Sequence, residues 1–225
     1  MFFVSDDCRS LGLRAGAVVF RDIHIEKRNP ALTEAIHQEA RMVQSRFEGP
    51  PAIRALPEVL GFRELLRRVG VNPRRDQPSV ERLLGFALKR GDLPDINSLV
   101  DAYNLVSIRS LCSLGAHDLD QIDMPVSLQL LAGDESFTPL GSDKRLSIQA
   151  GEFGYVDARG RVLCRLDVMQ ADFSKVTKAT CNVILIVEGT TAHEEENLRR
   201  TVVDAIGAVT EYCGGTAEVN AWPGR

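Results

Sequence analysis

The 225-residue sequence lacks the long hydrophobic runs that mark membrane proteins. Its longest apolar stretch, NVILIVEG, is far shorter than the roughly 20 residues that cross a bilayer. The amino-terminal stretch, MFFVSDDCRS, reaches two aspartates before any apolar segment has the length of a secretory signal. We therefore expect a cytoplasmic protein with no membrane partner.

Cysteine and histidine are sparse, and their spacing is not that of metal ligands. The five cysteines are scattered and form no C-x-x-C pair, which argues against a disulfide framework and against a thiolate zinc site. The four histidines lie far apart and also lack a ligand spacing. We predict reduced, structural cysteines, no metal and no cofactor.

The sequence also lacks an excess of positive charge. Lysine and arginine number 27 against 31 acidic residues, a net charge of −4, which argues against sequence-independent binding of long nucleic acid such as DNA. Arginines nevertheless cluster in RELLRRVGVNPRRDQPSVER, where Arg67, Arg68, Arg74 and Arg75 lie. A solvated helix face explains them most simply, and weak contact with a phosphate-bearing ligand such as tRNA is the alternative.

What the sequence does contain is typical of one globular domain. It is 44% hydrophobic and 26% charged, with no visible repeat or linker, so residues 1–225 can form a single hydrophobic core. The first half predicts a strand at GAVVFRDIHIE and then helices, the first with Asn29 as N-cap and the third opening at Ser79. A second helix places Leu60 on its buried side and closes at Gly70.

From about residue 127 the period changes to that of strands. SLQLLAG, FGYVD, RVLCRLDVM and CNVILIVEG are predicted strands, and DARG is a hairpin turn between the second and third. A helix from about residue 194 to 212 and a strand in GGTAEV complete the chain. The order of elements therefore predicts a mixed α/β fold.

The stretch LPDINSLVDAYNLVSIRSLCSLGAHDLD combines an apolar run with polar side chains. If residues 96–106 are helical, Asn97, Asp101 and Asn104 share one edge beside a buried face that includes Ile96. Because an unpaired buried amide costs about 1–3 kcal/mol, these side chains are solvated, bonded to nearby backbone or lining a cavity. His117 and the upstream Cys112 are weak candidates for catalysis, since sequence proximity does not show spatial contact.

The same stretch resembles a motif of the B3/B4 editing module of the phenylalanyl-tRNA synthetase β subunit, INNIVDVTNYV…LGQPMHAFDLD. A later stretch, QADFSKVTKATCNVILIVE, resembles GGExSxVTxxTTNVxLE of that module, and free-standing relatives also match QPSVERLL and AGEFGYVDARGRVLCR. The resemblance covers about residues 60–190, whereas residues 1–50 and 195–225 match less securely. It implies helices packed around a β-sheet, with an amino-acid-sized pocket between them.

By this resemblance Asn104 matches the asparagine that borders the editing pocket of the family. Asp172 matches a glutamate that recognises the hydroxyl of misattached tyrosine, and Gly115 replaces a histidine whose role does not pass to His117. We accordingly predict catalytic roles for Asn104, Asp172 and Gly115, and places in the substrate pocket for Asn97, Asp101 and His117.

The function that the resemblance implies is hydrolysis of the ester of a misacylated aminoacyl-tRNA by a free-standing editing protein. Its ligand would be the 3′ end of an aminoacyl-tRNA or a free amino acid, and a protein partner could deliver the tRNA. Positioned water, backbone N–H groups and the adjacent ribose hydroxyl suffice for an activated ester. The alternative is an amino-acid or small-molecule binding module that kept the pocket and lost the esterase.

Overall fold

The computed structural model describes residues 1–224, in which the chain forms seven helices and eleven strands. The helices are α1 (Asp6–Leu11), α2 (Pro30–Arg46), α3 (Pro50–Arg54), α4 (Pro57–Arg68), α5 (Ser79–Arg90), α6 (Ser98–Ser110) and α7 (Glu195–Cys213). The strands are β1 (Phe2–Val4), β2 (Leu13–Arg21), β3 (Ser113–Asp118), β4 (Val126–Leu130), β5 (Ser136–Phe137), β6 (Leu146–Ser147), β7 (Phe153–Val156), β8 (Val162–Arg165), β9 (Met169–Gln170), β10 (Val183–Thr190) and β11 (Thr216–Ala221). The predicted mixed α/β fold is confirmed.

Most strands belong to two sheets. Sheet A has the order β1-β4-β7-β8-β9, with β1 and β4 parallel and the other neighbours antiparallel. Sheet B has the order β11-β2-β10-β3 and is antiparallel throughout. Strands β5 and β6 form a separate small ribbon.

Strand β10 lies inside sheet B, and every one of its residues is buried. Ile184 and Ile186 pack into a hydrophobic cluster on one face, whereas Leu185 and Val187 pack into a second cluster on the other. A strand covered on both faces needs a nearly continuous apolar sequence. Side chains alternate between the two faces of a strand, so Glu188 points to the same face as Ile184 and Ile186. Its carboxyl group is therefore buried on the side of the first cluster.

The two clusters place the helices on opposite faces of sheet B. The first cluster takes side chains from both sheets and from α2, α4 and α5. The second joins the other face of sheet B to α6 and α7. Helices and sheets each bury one apolar face, and in this layering parts of α5, α6 and β3 line an open cleft.

Helix α6 lies between the two clusters instead of at the protein surface. Leu99 and Tyr103 pack into the second cluster, and Ala102 and Leu105 pack into the first. The sequence correctly predicted a helix here. The predicted division into one buried face and one polar edge was incomplete, because nearly every side of the helix is buried. Ile96, placed by the sequence on the buried face, instead precedes the helix and is 54% exposed.

Several local predictions are confirmed. The Asn29 side chain caps α2 by accepting hydrogen bonds from two backbone N–H groups, α5 begins at Ser79, and Gly160 closes the DARG turn with φ of 74°. Two predictions were wrong or incomplete: Leu60 is 46% exposed, and β3 was not expected. Within residues 1–224, no helix has the length and apolarity to span a bilayer.

Candidate functional site

A cavity of about 760 Å³ opens between α5, α6, β3 and the segment that connects β8 to β9. Small-molecule sites in proteins commonly have volumes of roughly 300–1,000 Å³. The apolar side chains of Leu83, Phe86 and Leu140 form part of its wall. The cavity therefore has room for an amino-acid side chain together with the groups attached to it.

Asn104 lines this cavity from α6. The residue is only 8% exposed, and its side-chain amide makes no hydrogen bond to any residue within the described chain. A buried amide normally finds partners, because losing its hydrogen bonds to water costs free energy. Asn104 therefore presents a free donor and a free acceptor to whatever occupies the cavity.

Gly115 lines the same cavity from β3, where it pairs with Ile186 of the neighbouring strand. A Cβ atom built on Gly115 would have no heavy atom within 4 Å among the described residues. The missing side chain thus leaves open volume in the cavity wall. A glycine within a strand often marks a place where a ligand or another backbone approaches closely.

Behind Gly115 lies an inner chamber of about 40 Å³, which shares Gly115, Cys164, Asp167 and Gln170 with the main cavity. His117 lines the chamber but is only 2% exposed. Its Nδ1 is 2.9 Å from the Ser174 hydroxyl oxygen, and burial lowers the pKa of the imidazole to about 4. His117 is thus a neutral residue of the chamber wall at physiological pH.

The sequence did not single out two buried acids, Asp167 in the cavity wall and Glu188 bonded to Tyr155 of the chamber wall. Asp167 lines both the cavity and the chamber, and burial raises the pKa of its carboxyl to about 6. Burial and the nearby Asp167 carboxylate raise the pKa of Glu188 to about 8. An acidic residue within the apolar run RVLCRLDVM was the one sequence feature that could have drawn attention to Asp167.

Asn97 and Asp101, predicted to line the pocket, are not among the residues that line the main cavity. Asn97 is the N-cap of α6, and its side chain accepts a 3.0 Å hydrogen bond from the Val100 N–H. Asp101 accepts a 3.0 Å hydrogen bond from the Ile96 N–H, and burial raises its pKa to about 6. These two side chains fix the start of the helix that carries Asn104.

Asp172, for which a catalytic role was predicted, is held by neighbouring groups in the structure. Its carboxylate accepts a 3.0 Å hydrogen bond from the Gly141 N–H and forms a 2.9 Å ion pair with Lys175. These contacts lower the pKa of the Asp172 carboxyl, and the residue is not among those lining the cavity. Asp172 instead holds the loop that brings Pro139 and Leu140 to the cavity wall.

The arginines of the predicted tRNA-binding cluster divide into two groups. Arg67 and Arg68 lie 3.3 and 3.6 Å from the carboxylate of Glu64 on the exposed side of α4. Arg74 is exposed outside the cavity, whereas Arg75 lines the cavity and is 2.9 Å from Asp76. Of these four arginines, only Arg75 lines the cavity.

Arg82, another arginine of the same sequence cluster, lies at the cavity as well. Its guanidinium donates a 3.0 Å hydrogen bond to the Val168 carbonyl oxygen and remains largely exposed. Arg75 and Arg82 are named here the basic rim. This rim places positive charge at the mouth of a cavity whose wall includes the buried Asp167.

The thiols near the site are poor nucleophiles. Burial raises the pKa of Cys112 to about 11, and Cys112 does not line the cavity. Cys164 does line it, but burial and the charges of Glu188 and Asp167 raise its pKa strongly. Within residues 1–224, no three His, Cys, Asp or Glu side chains are grouped so that they could hold a metal ion.

The two sheets, the central helix and the open cavity define a mixed α/β fold with a candidate site. The B3/4 domain family matches residues 61–205, well over half of the chain. The chain therefore belongs to the B3/4 domain family. The matched span includes Asn104, Gly115 and both buried acids.

Proteins similar to this chain include β subunits of phenylalanine–tRNA ligase. The probable β subunit from Vairimorpha ceranae is 26% identical over 122 residues, 45% of this chain and 24% of that protein. The β subunit from Methanococcus maripaludis is 27% identical over 132 residues, 50% of this chain and 23% of that protein. This chain thus matches about a quarter of the length of these relatives.

A solved structure shows the same fold. An N-terminal fragment of the phenylalanyl-tRNA synthetase β subunit from Pyrococcus horikoshii superposes with a TM-score of 0.50 at 14% identity. The match covers 96% of this chain and 50% of that fragment. At this identity the likeness concerns the fold alone.

Proposed function

We propose that this chain hydrolyses the ester that joins an amino acid to the terminal ribose of a misacylated tRNA. The observation that carries the proposal is that Asn104, with an unbonded side-chain amide, and Gly115, a strand position with no side chain, line the same cavity. Membership of the B3/4 family and the similarity to phenylalanine–tRNA ligase β subunits support the choice of substrate.

The proposed reaction requires positioning and no covalent intermediate. Water adds to the ester carbonyl, the bond to the ribose oxygen breaks, and the products are a free amino acid and a tRNA with an intact ribose hydroxyl. The Asn104 amide can donate to the carbonyl oxygen or hold the attacking water, and the space beside Gly115 lets the ester approach β3. An activated ester needs little more than this orientation and the neighbouring ribose hydroxyl.

The basic rim can orient the 3′ end of the tRNA relative to the cavity. Arg75 and Arg82 can approach the phosphates of the terminal nucleotides while the aminoacyl group enters the cavity. The net charge of −4 limits what this rim contributes to tRNA affinity, so a partner that delivers the tRNA is part of the proposal.

A second candidate function is an amino-acid binding module without esterase activity. The observation that favours it is the position of Asp172, whose carboxylate is bonded to Gly141 and Lys175 outside the cavity lining. A residue bonded in this way would not select a substrate hydroxyl.

The deciding experiment is incubation of the purified chain with a panel of tRNAs, each charged with a different labelled amino acid. We expect at least one ester to lose its label faster than it does by spontaneous hydrolysis. The binding-module function replaces the hydrolase if every charged tRNA survives while free amino acids bind the protein.

A further inference from the structure

Two buried carboxyl oxygens, one of them in the cavity wall, have no hydrogen-bond partner among the described residues. Asp167 Oδ1 and Glu188 Oε1 are both buried, and neither has a partner among the residues that the structure describes. A buried acceptor without a donor costs about 1–3 kcal/mol, and more when it carries charge. Such oxygens are suited to a donor that arrives with a ligand.

The other oxygen of each acid is firmly held. Asp167 Oδ2 accepts a 3.0 Å hydrogen bond from the Ser79 N–H at the start of α5. Glu188 Oε2 accepts a hydrogen bond from the Tyr155 hydroxyl. Each carboxyl is therefore fixed in position through one oxygen while the second oxygen stays unpaired.

Asp167 is the member of the pair that a ligand can reach. It lines both the main cavity and the inner chamber, and the residue is 8% exposed. The unbonded amide of Asn104 lines the same cavity. An occupant would therefore meet two unsatisfied polar side chains, one neutral and one acidic.

The charges across the cavity have a definite polarity. Asp167 forms the buried acidic end, and the basic rim of Arg75 and Arg82 forms the exposed end. A complementary ligand has a cationic donor inside and an anionic group outside. An aminoacyl ester attached to a phosphate-bearing nucleotide has this arrangement.

We propose that Asp167 binds a primary ammonium group of the aminoacyl ligand. The inference deepens the proposed function and rests on it for the identity of the ligand. An ammonium ion brings up to three N–H donors, which can satisfy the unpaired oxygen of Asp167. Asp167 then selects ligands by their charge, while the apolar wall accommodates the remaining atoms.

The test measures binding of carboxamide probes by calorimetry at pH 7.0, without tRNA. The probes 2-aminohexanamide and 6-aminohexanamide are isomers that carry the ammonium at the α position or at the side-chain end, and hexanamide lacks it. Phenylalaninamide and 3-phenylpropanamide form a second matched pair. We expect one ammonium-bearing isomer to bind wild-type protein about 10–100-fold more tightly than its ammonium-free partner.

The preferred isomer identifies the source of the ammonium. Preference for 2-aminohexanamide or phenylalaninamide assigns Asp167 to the α-amino group, and preference for 6-aminohexanamide assigns it to a cationic side chain. Equal affinity of the ammonium-bearing and ammonium-free probes, or no binding of any ammonium probe at millimolar concentration, overturns the inference.

The variant Asp167→Asn retains an oxygen for the Ser79 N–H and removes the charge. We expect it to weaken binding of the ammonium probe by about 10–100-fold while affinity for the ammonium-free probe stays within twofold. Asp204→Asn is the matched control, because Asp204 is exposed on α7 and does not line the cavity, and it should bind all probes as wild type does. Unchanged ammonium affinity in a folded Asp167→Asn protein overturns the inference.

The two proposals fail in different ways. If wild-type protein hydrolyses none of the charged tRNAs but binds the ammonium probes through Asp167, the proposed hydrolase activity is wrong and the ammonium site stands. If the protein releases an amino acid from tRNA rapidly but binds probes with and without the ammonium group equally well, the hydrolase activity is supported and the ammonium site is wrong.

Discussion

Asn104 and Gly115 face one cavity from two different elements, a helix buried on nearly every side and a strand at the edge of sheet B. One contributes an amide without a hydrogen-bond partner among the described residues, and the other contributes space. Polar groups held ready on rigid elements are what a positioning catalyst requires. The relationship between these two residues leads to the first two predictions.

Asn104→Ala should reduce release of the amino acid from the susceptible tRNA by about 10–1,000-fold, because the amide would contact the reacting ester or its water. The free energy of unfolding should change little, since the amide has no partner to lose. Rates of label release and urea unfolding curves test both statements. The control Asn197→Ala removes a 3.2 Å hydrogen bond on α7 and should leave the rate unchanged. An equal loss of rate in both variants would contradict the role of Asn104.

Gly115→Ala should alter which amino acid is released without destabilising the protein. The added methyl group enters open space, and alanine is about 0.5–1 kcal/mol more favourable than glycine within a strand. We expect the largest amino acids of the tRNA panel to lose rate and the smallest to keep it. Gly207→Ala, which also adds a methyl group to open space but lies on α7, should leave the selectivity unchanged. A uniform loss across the panel would show that Gly115 does not shape the pocket.

Asp172→Ala should reduce the rate by less than about tenfold, a smaller effect than that of Asn104→Ala. The variant releases the loop at Gly141 but removes no group that lines the cavity. The ratio of the two variants' rates on the same charged tRNA is the measurement. If Asp172→Ala is as damaging as Asn104→Ala, its carboxylate takes part in the reaction in the way predicted from the sequence resemblance.

Removal of metal ions or thiols should leave catalysis nearly unchanged. A chelator has no metal site to empty within the described residues, and the raised pKa of Cys112 keeps its thiol protonated at neutral pH. Rates in the presence of chelator and in Cys112→Ala, measured below the unfolding temperature of the variant, test this statement. A large loss under either condition would require a different mechanism.

Glu188→Gln should make folding stability less dependent on pH. The folded state holds the Glu188 proton up to about pH 8, whereas the unfolded carboxyl releases it near 4.5, so the folded state binds more protons between these values. Stability is therefore lost as pH rises through this range. Between pH 6.5 and 8.0 we expect wild-type protein to lose about 1–2 kcal/mol.

Urea unfolding at pH 6.5 and 8.0 measures this effect in both proteins. This pH range lies above the pKa of His117, which burial lowers to about 4. It also lies above the pKa values of Asp101 and Asp167, which burial raises to about 6. We expect the variant to lose less than half as much stability as wild type. Identical losses would show that Glu188 is not the group that titrates.

The amino-acid sequence by itself determined the local elements and the main candidate residues. Hydrophobic period and capping residues predicted α2, α5 and α7, because these signals act within a few residues of the chain. The motif around Asn104 and Gly115 led to two residues that line the cavity. Their roles in catalysis remain predictions.

Only the tertiary structure decided which polar groups face the cavity. The stripe of Asn97, Asp101 and Asn104 separates, because the first two bond to backbone at the start of α6 while the third lies farther along the helix. Asp167 and Glu188 lie in apolar stretches that predict strands, and neither stretch shows that the other is near. Periodicity reports that a side chain is buried, but long-range packing determines whether it is buried against hydrocarbon, a capping N–H group or an open cavity.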